Sequence, residues 1–415
     1  MEKKNLLLIV PKLDQGGLER VCVRTARILS DRFRVTIAAF DPSDPAYDLT
    51  GLDVRDLRAP ALKNRAGKVF RVLQRALRLR RLKGQIRADI CYSFGPTANR
   101  ANLLAGGRGK IWCGLRSWAD VSSSRQLAWT SGRADEMICC SRALADRLRE
   151  ACPGASARVL YNPYNAAEIG ECAACSDADL PDWDGCRVLI SVGREDPVKG
   201  YWHLIKAFSL VHGKLPDTRL AIVGSGDFAG YRQLAKALGV GDAVCLPGLK
   251  KNPFPWLLRA DLFVLTSLYE GFPNAMTEAM TLGCPVVATN CMTGPAEILT
   301  EDYRTAQRAE GVLEGEYGIL VPPLDPEENL DPSRITAEQK RLAEVICGLL
   351  SDPEKLRAYG EAAKRRAADF GEEAYGDRIQ PISYDKSYYH WVDASPELAG
   401  SWNGFYNSPS DGYVG

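Results

Sequence analysis

Arg194 and Lys199 stand five residues apart in RVLISVGREDPVKG, and Glu270 and Glu278 bracket Gly271-Phe272-Pro273-Asn274 in SLYEGFPNAMTEAM. Two such cations suit a diphosphate: a guanidinium bridges two phosphate oxygens and an ammonium adds a point charge. Carboxylates do not bind phosphate, but they accept hydrogen bonds from vicinal hydroxyls. Glu278 therefore suits a ribose diol, and Glu270 suits hydroxyls on the other side of the phosphates. A helix that starts after Pro273 leaves its first amides unpaired at the positive end of its dipole, a ready anion site. Gly271 lets the backbone come close, and Pro273 presets the helix entry. The plainer reading makes Glu195 and Asp196 ion partners in a solvated loop, Glu270 a turn residue and Glu278 part of an exposed helix face.

Other turns agree with the ligand reading. Gly193 follows an apolar run, Gly224-Ser225-Gly226 a second, and Gly248-Leu249 a third. A lone GxG is also what a simple βα turn requires. Near the start, Gly16 and Gly17 follow the first apolar run and precede Leu18, Val21, Cys22, Thr25, Ile28 and Leu29 at helical spacing. Those two glycines would let a first domain reach the phosphates from across a cleft.

Such residues need parallel strands to position them. Short apolar runs fall at 6–10, 35–40, 89–94, 110–115, 136–140 and 158–161, then at 187–192, 219–223, 243–246, 262–266, 285–289 and 317–321. Amphipathic segments alternate with them, the signature of βαβ units. At roughly 100–200 residues per domain, 415 residues suit two domains. The expected fold is α/β: two Rossmann-like doubly wound domains facing across a cleft, where strand ends bind ligands. The first spans 1–165 and the second 183–370; the aperiodic stretch 162–185 reads as linker plus strand lead-in. Residues 336–370 read as helix broken at Asp352-Pro353, and 371–415 as a segment returning to the first domain with an aromatic tail.

Composition narrows the partners. Net charge is +1, so nothing points to nucleic acid. The first apolar run ends at Pro11, too short for a signal core or a membrane span, so the expected location is the cytoplasm with reduced thiols. Cys172 and Cys175 form one CxxC without a convincing second pair, which argues against a zinc site. Residues 61–87 are rich in Lys and Arg and contain no Asp or Glu. There Val69, Val72, Leu73, Ala76, Leu77 and Leu79 interleave with Arg71, Arg75, Arg78, Arg80 and Arg81. Such a helix can rest peripherally on anionic lipid at the inner membrane face, or pack its apolar face on the sheet.

Together these stretches resemble the GT-B-fold retaining glycosyltransferases of family 4, over about residues 5–380. The resemblance rests on Gly16-Gly17-x-Glu19, Gly193-Arg194…Lys199-Gly200, Gly224-Ser-Gly226 and above all Glu270-Gly-Phe-Pro-Asn-x3-Glu278. Lys251-Asn252-Pro253, Ala260-Asp261-Leu-Phe-Val-Leu265 and Gly294-Pro295-x-Glu297 are similar to bacterial members that extend lipid-linked glycans. The resemblance implies a hexosyltransferase that takes a nucleotide-diphosphate sugar, with UDP favoured, and acts on a glycan or polyprenyl-linked acceptor in cell-surface polysaccharide assembly. It assigns Arg194 and Lys199 to the diphosphate, Glu270 to the transferred sugar and Glu278 to the ribose. Gly16, Gly17, Gly193, Gly224, Gly226, Gly248, Leu249 and the 271–274 segment would line the donor, and no metal would be needed. Arg116 stands where many members carry His; with Asn162 it is expected on the sugar and acceptor side. Gly294-Pro295-Ala296-Glu297 lacks a basic residue found in the family motif. A GT-B epimerase that hydrolyses its donor, or a non-catalytic partner subunit, would share the same fold.

Overall fold

A computed structural model describes residues 3–14, 16–60 and 65–383. The expected aromatic tail beyond Ser383 and the start of the basic stretch lie outside these residues. The first half contains strands β1 (Asn5–Lys12), β2 (Arg34–Asp41), β3 (Asp53–Asp56), β4 (Ile90–Phe94), β5 (Lys110–Leu115), β6 (Glu136–Cys139) and β7 (Ala157–Val159). They form one sheet in the order β3-β2-β1-β4-β5-β6-β7, with parallel pairings such as Leu6 opposite both Val35 and Ile90. The second half contains β8 (Arg187–Val192), β9 (Thr218–Val223), β10 (Val244–Gly248), β11 (Leu262–Leu265), β12 (Val286–Thr289), β13 (Leu313–Glu314) and β14 (Ile319–Val321). Its order is β10-β9-β8-β11-β12-β14-β13, parallel except at the β13–β14 edge. These are two Rossmann-like sheets with helices between their strands.

The central strands carry Leu6–Val10 and Val188–Ile190 almost without exposure, as strands covered on both faces must. Edge strand β3 reads Asp-Val-Arg-Asp and is largely exposed, so no apolar run announced it. The run at 243–246 is displaced toward the C-terminus, and Gly248 ends β10 instead of opening the following loop. Part of the expected linker is a helix, Ala166–Ala173, begun by the Asn165 side chain accepting from the Glu168 N–H at 3.0 Å. Its short, small-residue sequence hid the helical period. The break at Asp352-Pro353 separates helices Ala337–Leu350 and Pro353–Ala367.

The halves are packed together. Beyond Gly371 the helix Glu372–Ser383 returns to the first half, where Tyr375 and Ile379 enter the core beside Leu6, Leu8 and Val21. The Tyr375 hydroxyl lies 2.8 Å from Thr25 Oγ1. The basic helix Arg65–Gln85 divides its apolar residues: Ala76, Leu79 and Leu82 are buried, while Phe70, Leu73 and Leu77 are 61%, 55% and 60% exposed. Among the described residues no helix is long and apolar enough to cross a membrane.

Candidate active site

In each sheet the strand order reverses beside its first strand, between β1 and β4 and between β8 and β11, which opens a crevice at the strand ends. β8 and β11 are neighbours, so their loops meet although they are far apart in the chain. Lys199 Nζ donates to Glu270 Oε1 at 2.6 Å, and Ser267 Oγ donates to the same oxygen at 2.7 Å. The Lys199 backbone is fixed by a single 3-10 turn, Pro197–Lys199, capped by Asp196 accepting from the Val198 N–H at 3.0 Å. Gly200 follows at φ 62°, where a Cβ would sit 2.3 Å from the Thr266 carbonyl oxygen. Only glycine lets the first loop lie that closely on the second. Arg194 is held differently. Its side chain is 67% exposed, and Nε and Nη2 donate to Asp196 Oδ2 at 2.9 and 2.7 Å. An exposed pair of this kind contributes little stability, so the guanidinium can turn to a better anion.

The helix Asn274–Thr281 begins at the same place, and no side chain caps its N-terminus. Here the first half closes on the second. A Cβ on Gly271 would lie 1.8 Å from the Arg116 carbonyl oxygen, and the Trp118 N–H donates to the Glu270 carbonyl at 3.1 Å. Arg116 Nη1 donates to Asn162 Oδ1 at 2.8 Å, and Asn162 Nδ2 donates to Asn274 Oδ1 at 2.8 Å. The Arg116 guanidinium also bonds the Tyr92 hydroxyl and lies 4.9 Å over the Phe94 ring. A Cβ on Gly17 would come within 2.9 Å of Asn274 Nδ2. Gly17, Arg116, Asn162 and Asn274 are thus gathered in one place.

Other expected residues hold different positions. Glu278 is not on an exposed face: it is 3% exposed, and its Oε1 accepts from Arg20 of the first helix, Gly17–Leu29. Burial pushes the Glu278 carboxyl up, against the pull of Arg20 and Arg24. Oε2 carries no hydrogen bond from the described residues. The Phe272 ring packs between Tyr161 and Phe370, with ring centroids 5.4 and 5.2 Å away, and so joins the core between the halves. Gly193 and Gly224 spend their amides on the Val223 and Gly248 carbonyls at 2.9 and 3.0 Å. Gly226 lies against Glu195, Gly248 ends β10, and Leu249 is exposed. Gly193 and Gly224 thus stack loops on one another and do not offer free amides. The Gly16 N–H donates to the Tyr47 hydroxyl at 3.0 Å, and that hydroxyl donates to the Gly16 carbonyl at 2.6 Å.

Two contributors had no signal in the sequence, and the role of a third was hidden. Arg20 and Tyr47 are ordinary helix and loop residues whose partners lie far away in the chain. Glu297 sits in the noted Gly-Pro-x-Glu stretch, but its use depends on the other half. Its oxygens accept from the Arg142 N–H at 2.7 and 2.8 Å and from the Tyr161 hydroxyl, capping helix Arg142–Ala151 across the interface. Burial pushes the Glu297 carboxyl up. Among the described residues no group of three or more His, Cys, Asp or Glu could hold a metal ion. His203 is a packing residue: Nε2 lies 2.9 Å from the Asp325 carbonyl oxygen, and Nδ1 lies 2.8 Å from Gln339 Nε2.

Comparison with known proteins bears on the family and the fold. Residues 15–168 match the family described as Glycosyltransferase Family 4, and residues 180–328 match Glycosyl transferases group 1. An uncharacterized glycosyltransferase of Methanocaldococcus jannaschii is 35% identical over 187 residues, 44% of this chain and 46% of that protein. N-acetylgalactosamine-N,N'-diacetylbacillosaminyl-diphospho-undecaprenol 4-alpha-N-acetylgalactosaminyltransferase of Campylobacter jejuni is 29% identical over 213 residues, 51% and 49% of the two chains. The matched part spans about half the length of each of these relatives. In fold, Anabaena HepE, solved with UDP and glucose, superposes with a TM-score of 0.70 at 20% identity, over 91% of this chain and 99% of that one. Sucrose-phosphate synthase from Thermosynechococcus elongatus gives 0.72 at 20% identity, over 95% and 100%. With a family model on each half and this fold across both, the chain belongs to the family-4-like glycosyltransferases of GT-B fold.

Proposed function

We propose that the chain is a retaining glycosyltransferase that moves a hexose or N-acetylhexosamine from a nucleoside-diphosphate sugar, UDP being favoured, to a glycan or lipid-linked acceptor. The observation that carries this is the meeting of Lys199, Glu270 and the uncapped start of helix Asn274–Thr281 at the second switch point, with the first half closed over them. The diphosphate would draw Lys199 from Glu270 and Arg194 from Asp196, and would take the free amides. Glu270, released from Lys199, would accept from the sugar hydroxyls, while Glu278 Oε2 would accept from the ribose.

The bond from C1 of the sugar to the diphosphate oxygen breaks, and its electron pair leaves with the diphosphate. Fixed positive charge there stabilises the departing group, the largest single term in many enzymes. The acceptor hydroxyl attacks C1 from the same face, and its proton passes to a diphosphate oxygen. Neither glutamate is needed as nucleophile, and the expected metal independence rests on these cations. Arg116 and Asn162, joined to Asn274, would position the sugar and acceptor. The exposed Phe70, Leu73 and Leu77 beside Arg80 and Arg81 suit peripheral contact with anionic lipid.

The test is a transfer assay with a panel of UDP-sugars and a lipid-linked acceptor. Lys199→Ala or Glu270→Ala should lower kcat by roughly 100- to 1,000-fold, as for loss of a preorganised electrostatic contact. Full activity in either variant with an unchanged fold would refute the assignment.

A further inference from the structure

Two helices from opposite halves start against each other. A Cβ on Gly17, the first residue of helix Gly17–Leu29, would come within 2.9 Å of the side-chain nitrogen of Asn274, the first residue of helix Asn274–Thr281. One turn further along each helix, Arg20 Nη1 donates to Glu278 Oε1. Residues three and four apart share a helix face, so both contacts lie along one seam between the helices. The start of the first helix is fixed as well. The Arg20 N–H donates to the Gly16 carbonyl at 3.1 Å, and the same carbonyl accepts from the Tyr47 hydroxyl at 2.6 Å. The buried Nε of Arg20 has no partner among the described residues, and Glu278 is the carboxylate with which its guanidinium pairs.

Buried Glu278 is suited to a diol only in one state. Burial favours a proton on it, and a protonated carboxyl carries a donor where vicinal hydroxyls also bring donors. Arg20 is the strongest pull the other way. Arg24 adds to it, but its guanidinium is spent on Glu168 at 3.1 and 3.2 Å and on Glu372 at 3.0 Å. Arg20 also takes one carboxylate oxygen and leaves Oε2 without a hydrogen bond from the described residues. A carboxylate held by one oxygen presents the other in a fixed direction, with lone pairs for two adjacent hydroxyls. The cation that arranges this belongs to the first half and the carboxylate to the second.

We propose that Arg20 is a positioning residue for the ribose of the nucleotide: by occupying Glu278 Oε1 from the opposite half, it makes Oε2 the acceptor that distinguishes ribo- from 2′-deoxyribonucleoside diphosphates. This rests on the transferase reading above, in which Glu278 meets the ribose. Arg20 does not itself touch the nucleotide; it acts through Glu278. Because the pair spans the cleft, ribose recognition is complete only when the halves are closed.

The full chain and its variants Arg20→Met and Arg20→Lys are titrated by calorimetry with UDP and with 2′-deoxy-UDP. Sucrose is present to favour the compact state, and each melting temperature checks the fold. Arg20→Gln, too short to reach Oε1, takes the place of Arg20→Met if that variant does not fold. The original chain should bind UDP at least about tenfold more tightly than 2′-deoxy-UDP, the scale of one hydrogen bond to a charged group. In Arg20→Met the two affinities should come within about twofold of each other. Arg20→Lys, whose ammonium still supplies a charge for Oε1, should recover most of the preference. A residue that only supported the fold would weaken both ligands alike and leave their ratio unchanged. A preference in Arg20→Met equal to that of the original chain would therefore overturn the proposal, as would equal affinities for the two ligands in the original chain. Failure of the original chain to bind UDP would instead sink the transferase reading on which the proposal rests.

Discussion

Arg20 and Glu278 join the two halves through a pair that is nearly dry on one side: the Glu278 side chain is 4% exposed and that of Arg20 28%. Replacing Arg20 with Met removes the guanidinium that faces Oε1 and leaves a carboxylate among buried neighbours. Breaking a buried pair from one side costs about 3–5 kcal/mol, and the partial exposure of Arg20 places this case near the lower end. The loss must depend on pH. Burial already raises the Glu278 carboxyl above its ordinary 4.5, and loss of Arg20 raises it further. The folded chain then keeps a proton that the unfolded chain releases. Stability therefore falls as pH rises from 4.5 toward the folded value, by at most about 1.4 kcal/mol per pH unit. Urea unfolding should thus show a smaller penalty for Arg20→Met at pH 5 than at pH 8. Adding Glu278→Gln should restore most of it, because the buried charge is gone. Equal penalties at the two pH values, or one below about 0.5 kcal/mol at pH 8, would refute the argument, since that is the effect of an ordinary surface change.

Other perturbations test the closure and the core. Gly271→Ala places a Cβ 1.8 Å from the Arg116 carbonyl oxygen and should push the halves apart, destabilising by about 1–3 kcal/mol and expanding the chain in small-angle scattering. Tyr161→Phe removes the hydroxyl that donates to buried Glu297 and should cost about 1–3 kcal/mol by urea unfolding. His203 is held neutral, its pKa lowered by burial, so stability present above the unfolded value of 6.5 is lost as pH falls toward the folded value. The stability difference between the original chain and His203→Gln should narrow over that window and stay flat above it; a flat difference throughout would show that His203 titrates alike in both states.

The sequence made the central strands legible because parallel strands covered on both faces read as unbroken apolar runs, as at Val188–Ile190. It left β3 and β13 unseen, since edge pairing depends on backbone hydrogen bonds that polar residues make equally well. Lys199 and Glu270 were recognisable as strand-end residues, and the adjacency of β8 and β11 supplied the 2.6 Å contact between them. Their places after apolar runs put Gly193 and Gly224 among the donor-lining residues, but their amides are committed to the carbonyls of other loops. Spacing could not reveal the cross-cleft partners either. Arg20 and Glu278 are separated by most of the chain, and nothing local to either marks the other. The same holds for Glu297, whose partner is a helix start in the other half. The even interleaving of cations and apolar residues in the basic helix concealed which leucines turn inward, because its register on the sheet is a property of packing.

The claim that the second switch point holds the diphosphate of a nucleotide sugar is tested most directly by titrating UDP into the original chain and into Lys199→Ala. Saturable one-site binding is expected, weakening by about tenfold or more when the ammonium is lost, the scale of one charged hydrogen bond. UDP binding of equal affinity in both chains, with the fold intact, would contradict it.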